Sequence, residues 1–93
     1  MKIYQSKIFE SKAKRFSKQE KEILDEEVKR IIENPLVGEE KRGDLRGIYI
    51  HKFKIKALQY LLSYRMINDE LELIMIGSHE NYYRDLKKYL KRR

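Results

Sequence analysis

The stretch "GSHENYYRDL" (residues 77–86) holds a histidine, two adjacent tyrosines and an arginine. Its His79 is one of only two histidines in the chain; the other is His51. Imidazole can take and return a proton near neutral pH, so it suits general acid–base work. A second group lies in "IYIHKFKIK", where Lys52, Lys54 and Lys56 alternate. In an extended strand alternate residues project from one face. Three ammonium groups in such a row repel one another unless something anionic lies across them, as a phosphate backbone would. RNA cleavage without a metal needs a base for the 2′-hydroxyl, cations for the charge building on the phosphoryl oxygens, and an acid for the departing 5′-oxygen. His79, Arg65, Arg84 and the lysines are residues of those types. The plain structural alternatives are a helix-start histidine and an edge strand protected by lysines. His51 has opposite parity to Lys52 and Lys54 and ranks below His79.

Wound as a helix, "ENYYRDLKKYLKRR" brings His79, Tyr83, Leu86 and Leu90 near one face, with Tyr82 beside them. Tyrosine rings can stack on unpaired bases. The expectation is that the leucines dock this helix and a tyrosine stands at the rim. Glu80 and Arg84 are four apart and should support the helix weakly. The acidic run Asp25, Glu26, Glu27 falls mostly opposite an apolar stripe and reads as a solvated face. There is no HExxH motif, EF-hand loop, Walker loop or GxSxG motif. Cysteine is absent, which excludes disulfides and thiolate metal sites. No metal and no cofactor are expected.

The elements that must position these groups are legible in outline. "KIYQ" reads as a short strand. Ser6 is set to cap a helix whose Ile8, Phe9, Ala13 and Phe16 share a face. Ser17 with Glu20 is a capping-box signature for a second helix, with Leu24, Val28, Ile31 and Ile32 as its stripe. Asn34-Pro35 ends it. The two helices should form an antiparallel hairpin. "VGEEKRGDLRG" reads as a polar loop. "IYIHKFKI", "ALQYLLSYRMI" and "LELIMI" read as three strands, with a tight turn at Asn68 and Asp69. One face of this sheet should meet the core and the other stay open. Ser78 is set to cap the last helix. The expected fold is α+β: an N-terminal strand and a helical hairpin packed on a small, largely antiparallel sheet, in the order β-α-α-β-β-β-α.

The whole chain, residues 1–93, should form a single small domain. Charged residues make up 40% of it, and no apolar run approaches a membrane span. The N-terminus lacks the apolar stretch of a secretory signal, so an intracellular, cytoplasmic protein is expected. The net charge of +7 is uneven. Residues 1–47 carry 12 Lys/Arg against 10 Asp/Glu, and residues 48–93 carry 10 against 5. The excess falls on the sheet and the last helix, and suits a polyanion or an acidic protein.

The order of elements, "GDLRGIYIHKFKI", "YLLSYRMINDELELIMIG" and above all "GSHENYYRDLKK" resemble the RelE/ParE superfamily of bacterial toxins, the toxin halves of type II toxin–antitoxin pairs. The resemblance spans nearly the whole chain and is strongest from Asp44 to Lys88. It implies one of two activities. RelE-like and YafQ-like members are metal-independent mRNA endonucleases of the ribosomal A site; ParE-like members poison DNA gyrase. The YafQ-like ending falls on Gly77, Ser78, His79 and Tyr83, with the histidine as catalytic acid or base. The strand lysines of RelE-like members fall on Lys52 and Lys54. The residue types and the resemblance together give a catalytic set of His79, Lys52, Lys54 and Arg84, with Lys56, Arg65, Tyr82 and Tyr83 on the RNA. Two positions depart from the pattern. Leu61 stands where RelE-like toxins carry a catalytic arginine, and Gln59 where an acid is expected. The departure gives weight to gyrase poisoning, and also to a basic binding module without toxicity. The implied partners are a small cognate antitoxin and mRNA on the ribosome, or gyrase in the ParE-like case.

Overall fold

A computed structural model describes residues 1–92. Strand β1 (Lys2–Gln5) leads into helices α1 (Lys7–Ala13) and α2 (Lys18–Glu33). A two-residue strand β2 (Glu39–Glu40) and a 3-10 turn (Gly43–Leu45) follow, then β3 (Tyr49–Ile55), β4 (Leu58–Ile67), β5 (Glu70–Ser78) and helix α3 (Tyr82–Lys91). The sheet order is β1-β5-β4-β3-β2. Only β1 runs parallel to its neighbour; the other pairs are antiparallel. The expected α+β architecture is present. Strand β2 lies inside the stretch that reads as a polar loop. No described helix is long and apolar enough to cross a membrane.

Both hairpin helices start where their caps dictate. Ser6 Oγ accepts from the Phe9 N–H at 3.0 Å. Ser17 and Glu20 form a complete capping box, with bonds of 2.7 and 3.2 Å. Such a cap contributes about 1 kcal/mol. Ser6 also donates through its hydroxyl to the Ile74 carbonyl, and its N–H bonds the Leu73 carbonyl. One buried serine therefore caps α1 and pins it to β5.

Ile74 is a β-bulge. Ser63 pairs with Met75 and Tyr64 with Leu73, so Ile74 is the extra residue in β5. Ile74 and Met75 consequently both face α3, while Leu71, Leu73 and Ile76 face the helical hairpin. Against expectation, neither face of the sheet is open. One core packs Phe9, Leu24 and Ile31 on Phe53, Leu62 and Tyr64. The other packs Tyr82 and Leu86 of α3 on Ile50, Leu61 and Met75. Removing an aliphatic side chain of this size from water contributes about 1.5–3 kcal/mol. Ile8, expected beside Phe9, packs on the α3 core instead. Phe16 lies beyond the end of α1, its ring edge-on to Tyr60 at 5.5 Å.

Candidate phosphate-binding and acid–base site

The register of the sheet builds the site. Lys52 pairs with Leu61, and Leu61 with Gly77, so the three form a row across β3, β4 and β5. Their side chains share the face of Leu61, which packs in the α3 core. Lys52 and Gly77 are therefore two strand spacings apart, roughly 10 Å. Lys54 pairs with Gln59 in the next row. Leu61 is fully buried between the two ends of its row, so the centre of this face carries no charge.

His79 follows the end of β5 and is exposed. It was expected inside a helix capped by Ser78. Instead β5 runs through Ser78, and α3 begins at Tyr82 behind Asn81, which takes φ 61° and makes no side-chain cap. A left-handed asparagine at this point turns the chain sharply, because short polar side chains tolerate that conformation. The turn sets the His79 ring 6.0 Å from Tyr83, edge to face. A β-carbon at Gly77 would stand in ordinary contact with the Tyr82 ring, at 3.5 Å, and with Lys12 Nζ, at 3.6 Å.

Two side chains of the site were not singled out in the sequence. Lys41 Nζ lies 5.2 Å from the centre of the Tyr83 ring, a cation–π contact, and 2.7 Å from Glu39 Oε1. The bond to Glu39 holds the Lys41 ammonium above the ordinary lysine pKa, so it stays cationic. Lys41 first, and Lys52 to a lesser degree, hold the Glu39 carboxyl below its ordinary value. Glu39 pairs with Ile50, and the Lys41 N–H donates to the Ile48 carbonyl at 2.8 Å, continuing the ladder. Ile48 and Ile50 both belong to the α3 core, so Glu39 and Lys41 point to that face with Lys52. Only the alternation of "EEK" signals this pairing, and two residues of strand are too few to read.

The other expected residues lie apart. Lys56 leaves the lysine row: it sits in the β3–β4 turn at φ 57° and lies near Glu20 of α2. Tyr82 is buried, its phenol 2.8 Å from Ser63 Oγ and donating to the Met75 carbonyl at 2.7 Å. That ring holds α3 and is closed to a base, and its burial pushes the phenol far above the usual tyrosine range. Arg65 Nε is bonded to Glu72 at 2.8 Å. Arg84 is exposed and meets Asp85 at 3.6 Å, not Glu80. His51 turns to the other face and bonds Glu27 of α2 at 2.7 Å, which takes Glu27 out of the expected solvated run. Among the described residues no group of three or more His, Cys, Asp or Glu is placed to hold a metal ion.

The family model of the ParE-like toxin of type II bacterial toxin–antitoxin systems matches residues 3–87. The chain belongs to this toxin family. Solved structures agree in fold. A chain of the intact E. coli RelBE toxin–antitoxin complex is 18% identical, with a TM-score of 0.68 over 85% of this chain and 96% of that one. The YoeB/ParE toxin from Agrobacterium tumefaciens is 20% identical, with a TM-score of 0.67 over 85% and 99%. A variant of the E. coli toxin RelE in the free state is 17% identical, with a TM-score of 0.70 over 98% and 95%. No match is found among curated proteins. In this ParE-like toxin the exposed histidine, the tyrosine beside it and the two lysines of β3 lie at one end of the α3 face. The expected arginine position is a buried leucine.

Proposed function

We propose that this toxin is a metal-independent, ribosome-dependent mRNA endonuclease that inhibits translation. The observation that carries the reading is His79: an exposed imidazole just past the end of β5, 6.0 Å from Tyr83, on the strand two places across the sheet from the one that carries Lys52 and Lys54. An acid–base group beside cations is what cleavage by the neighbouring 2′-hydroxyl requires. In this mechanism His79 moves the proton at the 2′- or 5′-oxygen. Lys52 and Lys54 hold the phosphate, and Tyr83 lies against a base. The 2′-oxygen forms its bond to phosphorus as the 5′-oxygen leaves, giving a 2′,3′-cyclic phosphate and a 5′-hydroxyl. Arg84 would reach the phosphate only after leaving Asp85. An acidic cognate antitoxin suits the +7 chain, and the similarity to a chain of the RelBE complex supports such a partner. The ribosome would supply the mRNA.

Gyrase poisoning is the second reading. The observation in its favour is Leu61, buried where RelE-like toxins carry an arginine. Primer extension on a reporter mRNA after brief expression separates the two. New translation-dependent 5′ ends, absent with His79→Ala, are expected. Intact mRNA in arrested cells with an induced DNA-damage response would overturn the nuclease reading in favour of gyrase.

A further inference from the structure

The face that lacks a cation at Leu61 has gained one from the far edge. Lys41, Glu39 and Lys52 form a line along the β2–β3 pair: Lys41 opposite Ile48, Glu39 opposite Ile50, and Lys52 two residues further on the same face. The carboxylate thus stands between two ammonium groups. It touches the first at 2.7 Å, and its side chain is 68% exposed, so an incoming anion can reach and displace it. Lys41 is the more fixed partner. Its side chain is 25% exposed, its ammonium lies over the Tyr83 ring, and its backbone is tied to Ile48. Beyond it an open hollow of about 400 Å³ is lined by Lys41, Arg42 and Arg46, with Glu40 and Gly43 completing its wall. The loop that carries these residues folds back because Gly43 and Gly47 take φ 64° and 86°. Lys41 and His79 both meet the Tyr83 ring, at 5.2 and 6.0 Å from its centre.

We infer that Lys41 and Lys52 form a clamp for one backbone phosphate of a single-stranded RNA, and that Glu39 is a resident carboxylate occupying the clamp until the phosphate displaces it. The inference rests on the RNA-cleaving reading and deepens it, assigning to the β2 edge the cation that position 61 lacks. Glu39 then sets the threshold for binding: a backbone phosphate must compete with an anion already in place, and weak or passing anions do not.

The test is fluorescence anisotropy with a labelled, short single-stranded RNA and the full chain, across a salt series. Lys41→Met keeps an unbranched side chain of similar length but removes the charge. It should lower the slope of log affinity against log salt by about 0.7, one single-strand phosphate contact, and Lys41→Arg should restore it. Glu39→Gln should raise affinity about three- to tenfold and steepen the slope. In the double variant, Glu39→Gln with Lys41→Met, that gain should vanish. Glu40→Gln removes the same charge from the opposite face, where Glu40 meets the Tyr49 hydroxyl at 3.4 Å, and should give a much smaller gain. Equal gains from Glu39→Gln and Glu40→Gln would mean a net-charge effect and overturn the clamp, as would a gain that survives Lys41→Met. Wild-type protein that binds no free RNA would overturn the clamp alone, because the ribosome-dependent reading stands or falls on primer extension. RNA binding without the coupling overturns the clamp alone.

Discussion

The Tyr82 phenol donates to the Met75 carbonyl at 2.7 Å, and this one bond ties α3 to the strand at its bulge. Met75 follows the extra residue Ile74, where the ladder between β4 and β5 is irregular. The Ser63 hydroxyl, 2.8 Å from the phenol, completes a buried polar group beneath the helix. Tyr82→Phe keeps the ring and removes the oxygen. It should lower stability by about 1–3 kcal/mol, because the Met75 carbonyl and Ser63 lose a buried partner. Urea unfolding measures this; an unchanged midpoint would mean that the two groups find other partners.

Burial raises the pKa of Tyr82, and that of Tyr64 in the same direction. Below the ordinary tyrosine value of about 10, both phenols are protonated in folded and unfolded chains, and their contribution is fully present. Above it the unfolded chain releases these protons while the folded chain keeps them. The unfolded state then binds fewer protons, so stability falls as pH rises, by up to about 1.4 kcal/mol per pH unit for Tyr82. Tyr82 should resist titration in phenolate difference spectra until the protein unfolds. Ionisation of Tyr82 in the folded chain would contradict this, and Tyr82→Phe should make the alkaline fall shallower.

Much of this was legible in the sequence because local chemistry decided it. The caps at Ser6 and Ser17, the stop at Pro35 and the hairpin turn at Asn68-Asp69 each depend on residues within a few positions, and each stands as read. What escaped depends on pairing across the sheet. Beyond the brief alternation of "EEK", nothing near Glu39 announces that it lies opposite Ile50, and nothing local singles out Lys41. The bulge at Ile74 changes the parity of β5, which no alternation rule within "LELIMI" foretells. Lys56 left the lysine row because a strict period of two assumes that the strand continues, and the chain turns there. His79 and Tyr83 were found as a pair, although the expected reason, a shared helix face, gives way to the turn at Asn81.

The two histidines should separate cleanly in a mutational test. His51 bonds Glu27 at 2.7 Å between β3 and α2, and the two side chains are only 11% and 16% exposed. His51→Ala leaves that carboxylate only its longer contact with Arg30, at 3.8 Å, and should cost about 1–3 kcal/mol, while a folded sample keeps its toxicity per molecule. His79 is exposed, so His79→Ala should change the melting temperature little and abolish toxicity. Thermal melts and growth arrest after induction give both readouts. A toxic, folded His79→Ala protein would remove the histidine from the mechanism.

Gly38 should be the least replaceable glycine of the β2 edge. Its N–H donates to the Tyr64 hydroxyl at 2.9 Å, and that hydroxyl donates to the Pro35 carbonyl at 2.7 Å. A β-carbon at position 38 would stand 2.8 Å from the same hydroxyl and 3.0 Å from the Ile50 carbonyl oxygen. The ring of Tyr64 is fully buried and stacked on Tyr49 at 5.6 Å, so it has little room to retreat. Gly38→Ala should therefore push the β2 edge off β3, lowering stability by about 1–3 kcal/mol. Tyr64→Phe removes the oxygen nearest the new methyl group. The double variant, Gly38→Ala with Tyr64→Phe, should lose less than the sum of the two single changes. Chemical denaturation of the four proteins closes the cycle. Strict additivity would show that the Ile50 backbone, and not the Tyr64 hydroxyl, is what the methyl group meets.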